Sequence, residues 1–201
     1  MGKGRLEAFS DGVMAIIITI MVLEMKVPQT DSLVSILPVL PVFISYVLSF
    51  LNVAIYWNNH HHIIHAAETV NAPVMWANIH LLFWLSLFPF VTGWMGENHF
   101  AKWPVVLYGF VSLMAGVAYY ILARCLVKLH GKRSTLSAAL ARDKKGAVSV
   151  FIYSAGIALS FVHPLLGFAM YFAVATMWFI PDKRIEEKLV EKEAIQKKDT
   201  L

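Results

Sequence analysis

The sequence has little charge and almost no cysteine. Asp, Glu, Lys and Arg make up 15% of its 201 residues, against about 25% in an ordinary soluble domain, so a water-soluble globule is not expected. The single cysteine, Cys125, excludes an intrachain disulfide. A lone thiol in an apolar stretch reads as a small buried hydrophobe rather than a nucleophile. There is no phosphate-binding glycine loop, no Gly-x-Ser-x-Gly elbow and no carboxylate pair in the interior of an apolar segment. The usual signatures of nucleotide-dependent, hydrolytic and acid–base enzymes are therefore missing, and the chain is not expected to be an enzyme. Internal repeats, low-complexity tracts and linkers long enough to separate domains are also absent.

What is present is apolar, 58% of all residues, and it comes in runs near the roughly 20 residues that a membrane span needs. Span one runs from Leu6 to Val27 and ends at Pro28. Span two runs from Ile36 to Trp57, with Pro38 and Pro41 at its entry. Span three, Pro73 to Trp94, holds Pro89 near its far end, and span four covers Trp103 to Val127. The block from Ala147 to Ile180 is too long for one span and is interrupted by Val162-His163-Pro164, which predicts two shorter helices and a tight turn. Residues 1–181 are thus read as a six-helix membrane domain and 182–201 as a cytoplasmic tail. Leu6 to Leu23 follows charged residues without a small-residue cleavage site, so it reads as an anchored span and not as a secretory signal.

The formal net charge of +4 could suggest nucleic acid or an anionic surface, but the charges lie in loops and tails. With six spans, one side of the membrane receives Lys3, Arg5, Arg124, Lys128, Lys132, Arg133, Arg142, Lys144, Lys145 and the basic tail, while the other receives Lys26 and Lys102. The positive-inside rule then places both termini in the cytoplasm. Trp57, Trp76, Trp94, Trp103 and Trp178 fall near the proposed span ends, as an aromatic belt requires.

Span one is the most informative segment. At about 100° per residue, Gly12, Ile16, Thr19, Ile20, Leu23 and Val27 lie within roughly 60° of one line, giving a narrow aliphatic stripe with one hydroxyl. Asp11 points off that stripe. A carboxylate at the rim of a membrane helix is costly unless paired, and Asn78 and His80 of span three lie at the same depth. The expectation is a network joining Ser10 and Asp11 to Asn78 or His80 and to His60 or His61, under Trp57 or Trp84, such that Asp11→Ala abolishes assembly.

The cluster Asn58-Asn59-His60-His61-His62-Ile63-Ile64-His65 invites a metal reading, since His61 and His65 stand one helical turn apart. Cys125 and Glu68 supply no further ligand at motif spacing, so no metal is expected and the imidazoles are read as hydrogen-bonding to helix-end carbonyls and neighbouring helices. A secondary transporter needs a midplane site on a broken helix or an intramembrane ionisable group; away from their ends the spans offer none. A metal-dependent enzyme of the membrane interface using His60 to His65 is the remaining alternative.

The opening residues Arg5-Leu6-Glu7-Ala8-Phe9-Ser10-Asp11 carry an arginine, three variable positions and Phe-Ser-Asp. Together with Ser45-Tyr46, Ser49-Phe50, Trp57-x-x-His60-His61 and the run Asn78 to Phe90, they resemble the transmembrane protein 175 family, the endolysosomal potassium channel and its bacterial relatives. The resemblance implies a potassium-permeable homotetramer in a bacterial cell membrane. It implies a pore lined by the first helix, with the aliphatic constriction at Ile16, the pore threonine at Thr19 and hydrophobic layers at Ile20 and Leu23. The family lacks a carbonyl selectivity filter, and no Thr-Val-Gly-Tyr-Gly loop occurs here. No cofactor is implied beyond the permeant K+.

Overall fold

A computed structural model describes residues 2–131 and 144–179, and every regular element among them is helical. Helix α1 is Lys3–Leu23, α2 Leu40–Ala66, α3 Ala72–Ser86, α4 Phe88–Glu97, α5 Lys102–His130, α6 Lys144–Ser160 and α7 Pro164–Phe179. A 3₁₀ turn, Leu33–Val39, leads into α2. Four segments are long and apolar enough to cross a membrane, Lys3–Leu23, Leu33–Ala66, Ala72–Glu97 and Lys102–His130, and α6 and α7 are shorter apolar helices. The tail 182–201 and the basic residues Lys132, Arg133 and Arg142 lie outside the described residues.

Several helix ends differ from the sequence reading, each for a local reason. α1 stops at Leu23 with Glu24 as its cap, because Pro28 follows too closely to allow another turn; Val27 therefore leaves the stripe. α2 runs nine residues beyond Trp57, since nothing before Glu68 breaks a helix, and it absorbs the whole histidine cluster. Trp57 consequently lies about 13 Å inside the helix end at 1.5 Å per residue. Span three is two helices. Pro89 lacks an N–H and its ring crowds the carbonyl of Leu85, so the chain tightens at Leu87, whose N–H donates to the Trp84 carbonyl, and α4 carries on to Glu97. The Val162-His163-Pro164 turn separates α6 from α7, with His163 N–H closing onto the Leu159 carbonyl.

The packing places α1 at one edge of the bundle, against α2, α3 and α4, while α6 and α7 form a hairpin against α5 at the other. Leu48, Leu81, Leu85, Met95, Tyr108 and Leu122 fill the interior between them. At the basic end, Lys3 Nζ donates to the carbonyls of His65 (2.9 Å) and Ala67 (2.7 Å), capping α2. There a cation also meets the negative pole of the helix dipole. At the same end His130 Nε2 accepts from the backbone N–H of Glu68 at 3.0 Å.

Small residues set the closest approaches. A Cβ on Gly96 would fall 2.5 Å from the Val42 Cα, a backbone atom at the start of α2 that cannot swing away. Gly96→Ala is therefore expected to push α4 away from α2 and to cost about 1–3 kcal/mol or more, the range for overpacked cores. Thermal unfolding of the detergent-solubilised protein measures it.

Candidate pore face and the polar chains behind it

The two faces of α1 are treated oppositely by the fold. Leu6, Ser10, Met14, Ile17 and Met21 are buried against α2, α3 and α4. Ile16 is 57% exposed, Ile20 40% and Leu23 80%, and Thr19 is exposed between them. Arg5, Phe9 and Gly12 continue the same uncovered face toward the N-terminus, all within about 50° of its centre line. Arg5 and Phe9 are exposed. Thr19 Oγ1 donates back into its own helix, to the Ile16 carbonyl at 2.9 Å and the Ala15 carbonyl at 3.2 Å. Its proton is thereby directed inward, and the oxygen lone pairs are left on the open face as acceptors.

Behind this face, near the basic end, runs a buried chain of three side chains. Ser10 Oγ donates to the Leu6 carbonyl at 2.8 Å and accepts from Asn78 Nδ2 at 2.9 Å. Asn78 Oδ1 lies 2.7 Å from His60 Nε2. Because the amide nitrogen serves Ser10, the amide oxygen is the acceptor and His60 carries its proton on Nε2. His60 Nδ1 has no partner among the described residues.

The other polar residues of the expected network pair separately. Asp11 takes neither Asn78 nor His80; its Oδ1 accepts from the Trp57 indole at 3.0 Å. His80 turns away from α1, and its Nε2 accepts from Trp84 Nε1 at 2.9 Å. His61 Nδ1 faces Glu7 Oε1 at 3.3 Å and stacks on His65. No group of three or more metal-ligating side chains gathers among the described residues.

A second buried chain, deeper in the bundle, has no counterpart in the sequence reading. Thr92 Oγ1 is 2.6 Å from Ser49 Oγ, which lies 3.1 Å from Tyr108 Oη. Asn52 Nδ2 donates to Tyr108 Oη at 3.0 Å, and Tyr153 Oη donates to Asn52 Oδ1 at 3.5 Å. Its signal in the sequence is Asn52, an amide in mid-span three residues after Ser49, because buried polar groups in lipid require partners.

At the far end of α1 the charges sort themselves. Lys26 Nζ bonds Glu97 Oε1 at 2.9 Å, and that hydrogen bond, with the accompanying charge attraction, holds the ammonium above its ordinary range. Glu24 is exposed, its Oε2 lying over Gly93 of α4.

These features define an all-helical polytopic membrane protein that leaves one amphiphilic face of its first helix uncovered. Residues 5–89 match the profile of the family described as endosomal/lysosomal potassium channel TMEM175. A potassium channel of Chryseobacterium sp. is 51% identical over 191 residues, covering 95% of this chain and all of that protein. A potassium channel of Chamaesiphon minutus is 32% identical over 86% of this chain and 91% of its own length. A crystal structure of a lysosomal potassium-selective channel TMEM175 homolog from Chamaesiphon minutus superimposes with a TM-score of 0.75 at 28% identity, over 89% of this chain and 96% of that one. The chain belongs to the TMEM175 family of potassium channels.

Proposed function

We propose that this protein is a K⁺-permeable channel in the bacterial cell membrane, built from four copies with both termini cytoplasmic and the uncovered face of α1 lining the pore. The observation that carries the reading is the contrast between the two faces of α1: one is buried, the other bears Ile16, Thr19, Ile20 and Leu23 with no covering element among the described residues of its own chain. Rings of these residues span about 10 Å at 1.5 Å rise per residue. A narrow aliphatic ring expels water and gates by dewetting, and hydroxyl oxygens replace part of a cation's hydration shell. With its proton engaged at Ile16, each Thr19 presents oxygen to the axis, favouring the more easily dehydrated K⁺ modestly over Na⁺. Likeness to the family, with its bacterial relatives, supports the homotetramer and the bacterial membrane.

A transporter reading would use the α3–α4 break, but Leu85, Phe88 and Pro89 there are buried and apolar, and Ser86 alone supplies a side-chain oxygen, with its proton donated to the Phe83 carbonyl. Planar-bilayer recording of purified protein separates the classes. Unitary K⁺ current steps are the expected result, and K⁺ flux without steps would sink the channel reading. The mass of the detergent-extracted assembly checks for four chains.

Glu24 explains preference for cations over anions. A carboxylate at a helix C-terminus opposes the dipole, and the neighbouring Lys26 is engaged by Glu97, so four Glu24 side chains would leave the mouth negative. Glu24→Gln is expected to lower unitary K⁺ conductance about twofold at tens of millimolar salt and not at molar salt, where screening acts within about 3 Å. Conductance measured across a salt series checks this.

A further inference from the structure

The deeper polar chain contacts the pore helix at one point. Thr92 Oγ1 lies 3.8 Å from the sulfur of Met21, which is buried on the back of α1, next in sequence to Ile20 on its open face. Ser49 and Asn52 both donate to Tyr108, Tyr153 donates to Asn52, and the Thr92 hydroxyl, 2.6 Å from Ser49 Oγ, has the Met21 thioether as its acceptor on α1. Side chains from α6, α2, α5 and α4 thus form one string that ends on α1, and Tyr153 packs on Tyr171 of α7.

The other contacts that α1 makes at this depth are apolar. Apolar contact is non-directional and leaves a helix free to turn by small angles, whereas a hydrogen bond to one atom fixes an azimuth. We propose that Thr92 is a positioning residue for conduction: it sets the rotation of the outer half of α1, and with it how far the Ile20 and Leu23 rings project toward the axis. This rests on the reading that α1 lines the pore. Thr92 itself faces away from the ions, so its loss shifts the balance between states in which those rings project more or less and leaves the permeation path of the open state unaltered.

The test is single-channel recording of Thr92→Val, Thr92→Ser and Met21→Leu, with Ile16→Asn as an independent report on the pore. Thr92→Val is expected to shift open probability by about threefold to tenfold, the equilibrium change that one hydrogen bond commands, with unitary conductance and K⁺/Na⁺ permeability ratio unchanged. Thr92→Ser retains the hydroxyl and should behave as the parent. Met21→Leu conserves volume while removing the acceptor; it should shift open probability in the same direction as Thr92→Val, and the double variant should go no further than either. Should Thr92→Val fail to assemble, Met21→Leu decides. Parental open probability in Met21→Leu and Thr92→Val, beside altered conductance in Ile16→Asn, overturns the tether alone. Unchanged conductance in Ile16→Asn overturns the pore reading and the tether with it.

Discussion

Ile16→Asn is expected to raise the resting K⁺ current of the reconstituted channel by about tenfold, because four amides in place of four branched aliphatic groups keep the constriction wet. Thermal stability should barely move. Ile16 is 57% exposed in its own chain, and substitutions away from packed or bonded sites usually stay within about 0.5 kcal/mol. That combination separates the pore assignment from its rival. Were Ile16 turned to acyl chains, an Asn there would carry an unpaired amide into hydrocarbon, and the variant would lose stability and keep its conductance. Thr19→Val is the companion measurement. It removes oxygen without changing shape, so the K⁺/Na⁺ permeability ratio should fall toward unity while the closed state stays closed. Single-channel conductance and reversal potential in asymmetric KCl and NaCl read both.

The features of this fold that were legible in the sequence are those governed by apolar length. The long apolar runs mark the four segments able to cross a membrane, and the α6–α7 break follows from Val162-His163-Pro164, where a missing N–H and a restricted preceding residue leave no continuous helix. Helix ends were less legible. Pro89 sits inside an apolar run that hydropathy scores as one segment, and α2 outlasts its apolar run because histidine and asparagine tolerate a helix once neighbouring helices bond them. Depth was readable and azimuth was not. Asn78 and His80 occupy one level, but they stand about 200° apart around α3, so only one of them can meet α1. Asn78 does so, and His80 turns to Trp84. His60 and His61 divide in the same way, one toward Asn78 and the other toward Glu7. The string through Ser49, Thr92 and Tyr108 joins three helices far apart in sequence, and no spacing rule brings those positions together.

That division moves the weight of the motif from Asp11 to Asn78. Asp11 holds one partner, Trp57, at a half-exposed site, so within a single chain Asp11→Ala removes one bond that water or headgroups replace. Asn78 is buried between Ser10 and His60 and serves both. In Asn78→Leu, Ser10 keeps its bond to the Leu6 carbonyl. His60 loses its acceptor and, with Nδ1 already unpartnered, becomes a buried imidazole with neither nitrogen satisfied. Leaving a buried donor unmade costs about 1–3 kcal/mol, and His60, fully buried in the packed interior, is closed to the water that reaches Asp11. Asn78→Leu is therefore expected to lower the melting temperature sharply and to shift the protein on size exclusion toward dissociated or aggregated material. The decisive variant is the double one. Removing both partners of a buried hydrogen bond in favour of apolar groups is often close to neutral, so Asn78→Leu with His60→Leu should recover much of the stability that Asn78→Leu alone loses. Equal melting temperatures for the single and double variants would place the loss in packing around Asn78 and not in the stranded imidazole.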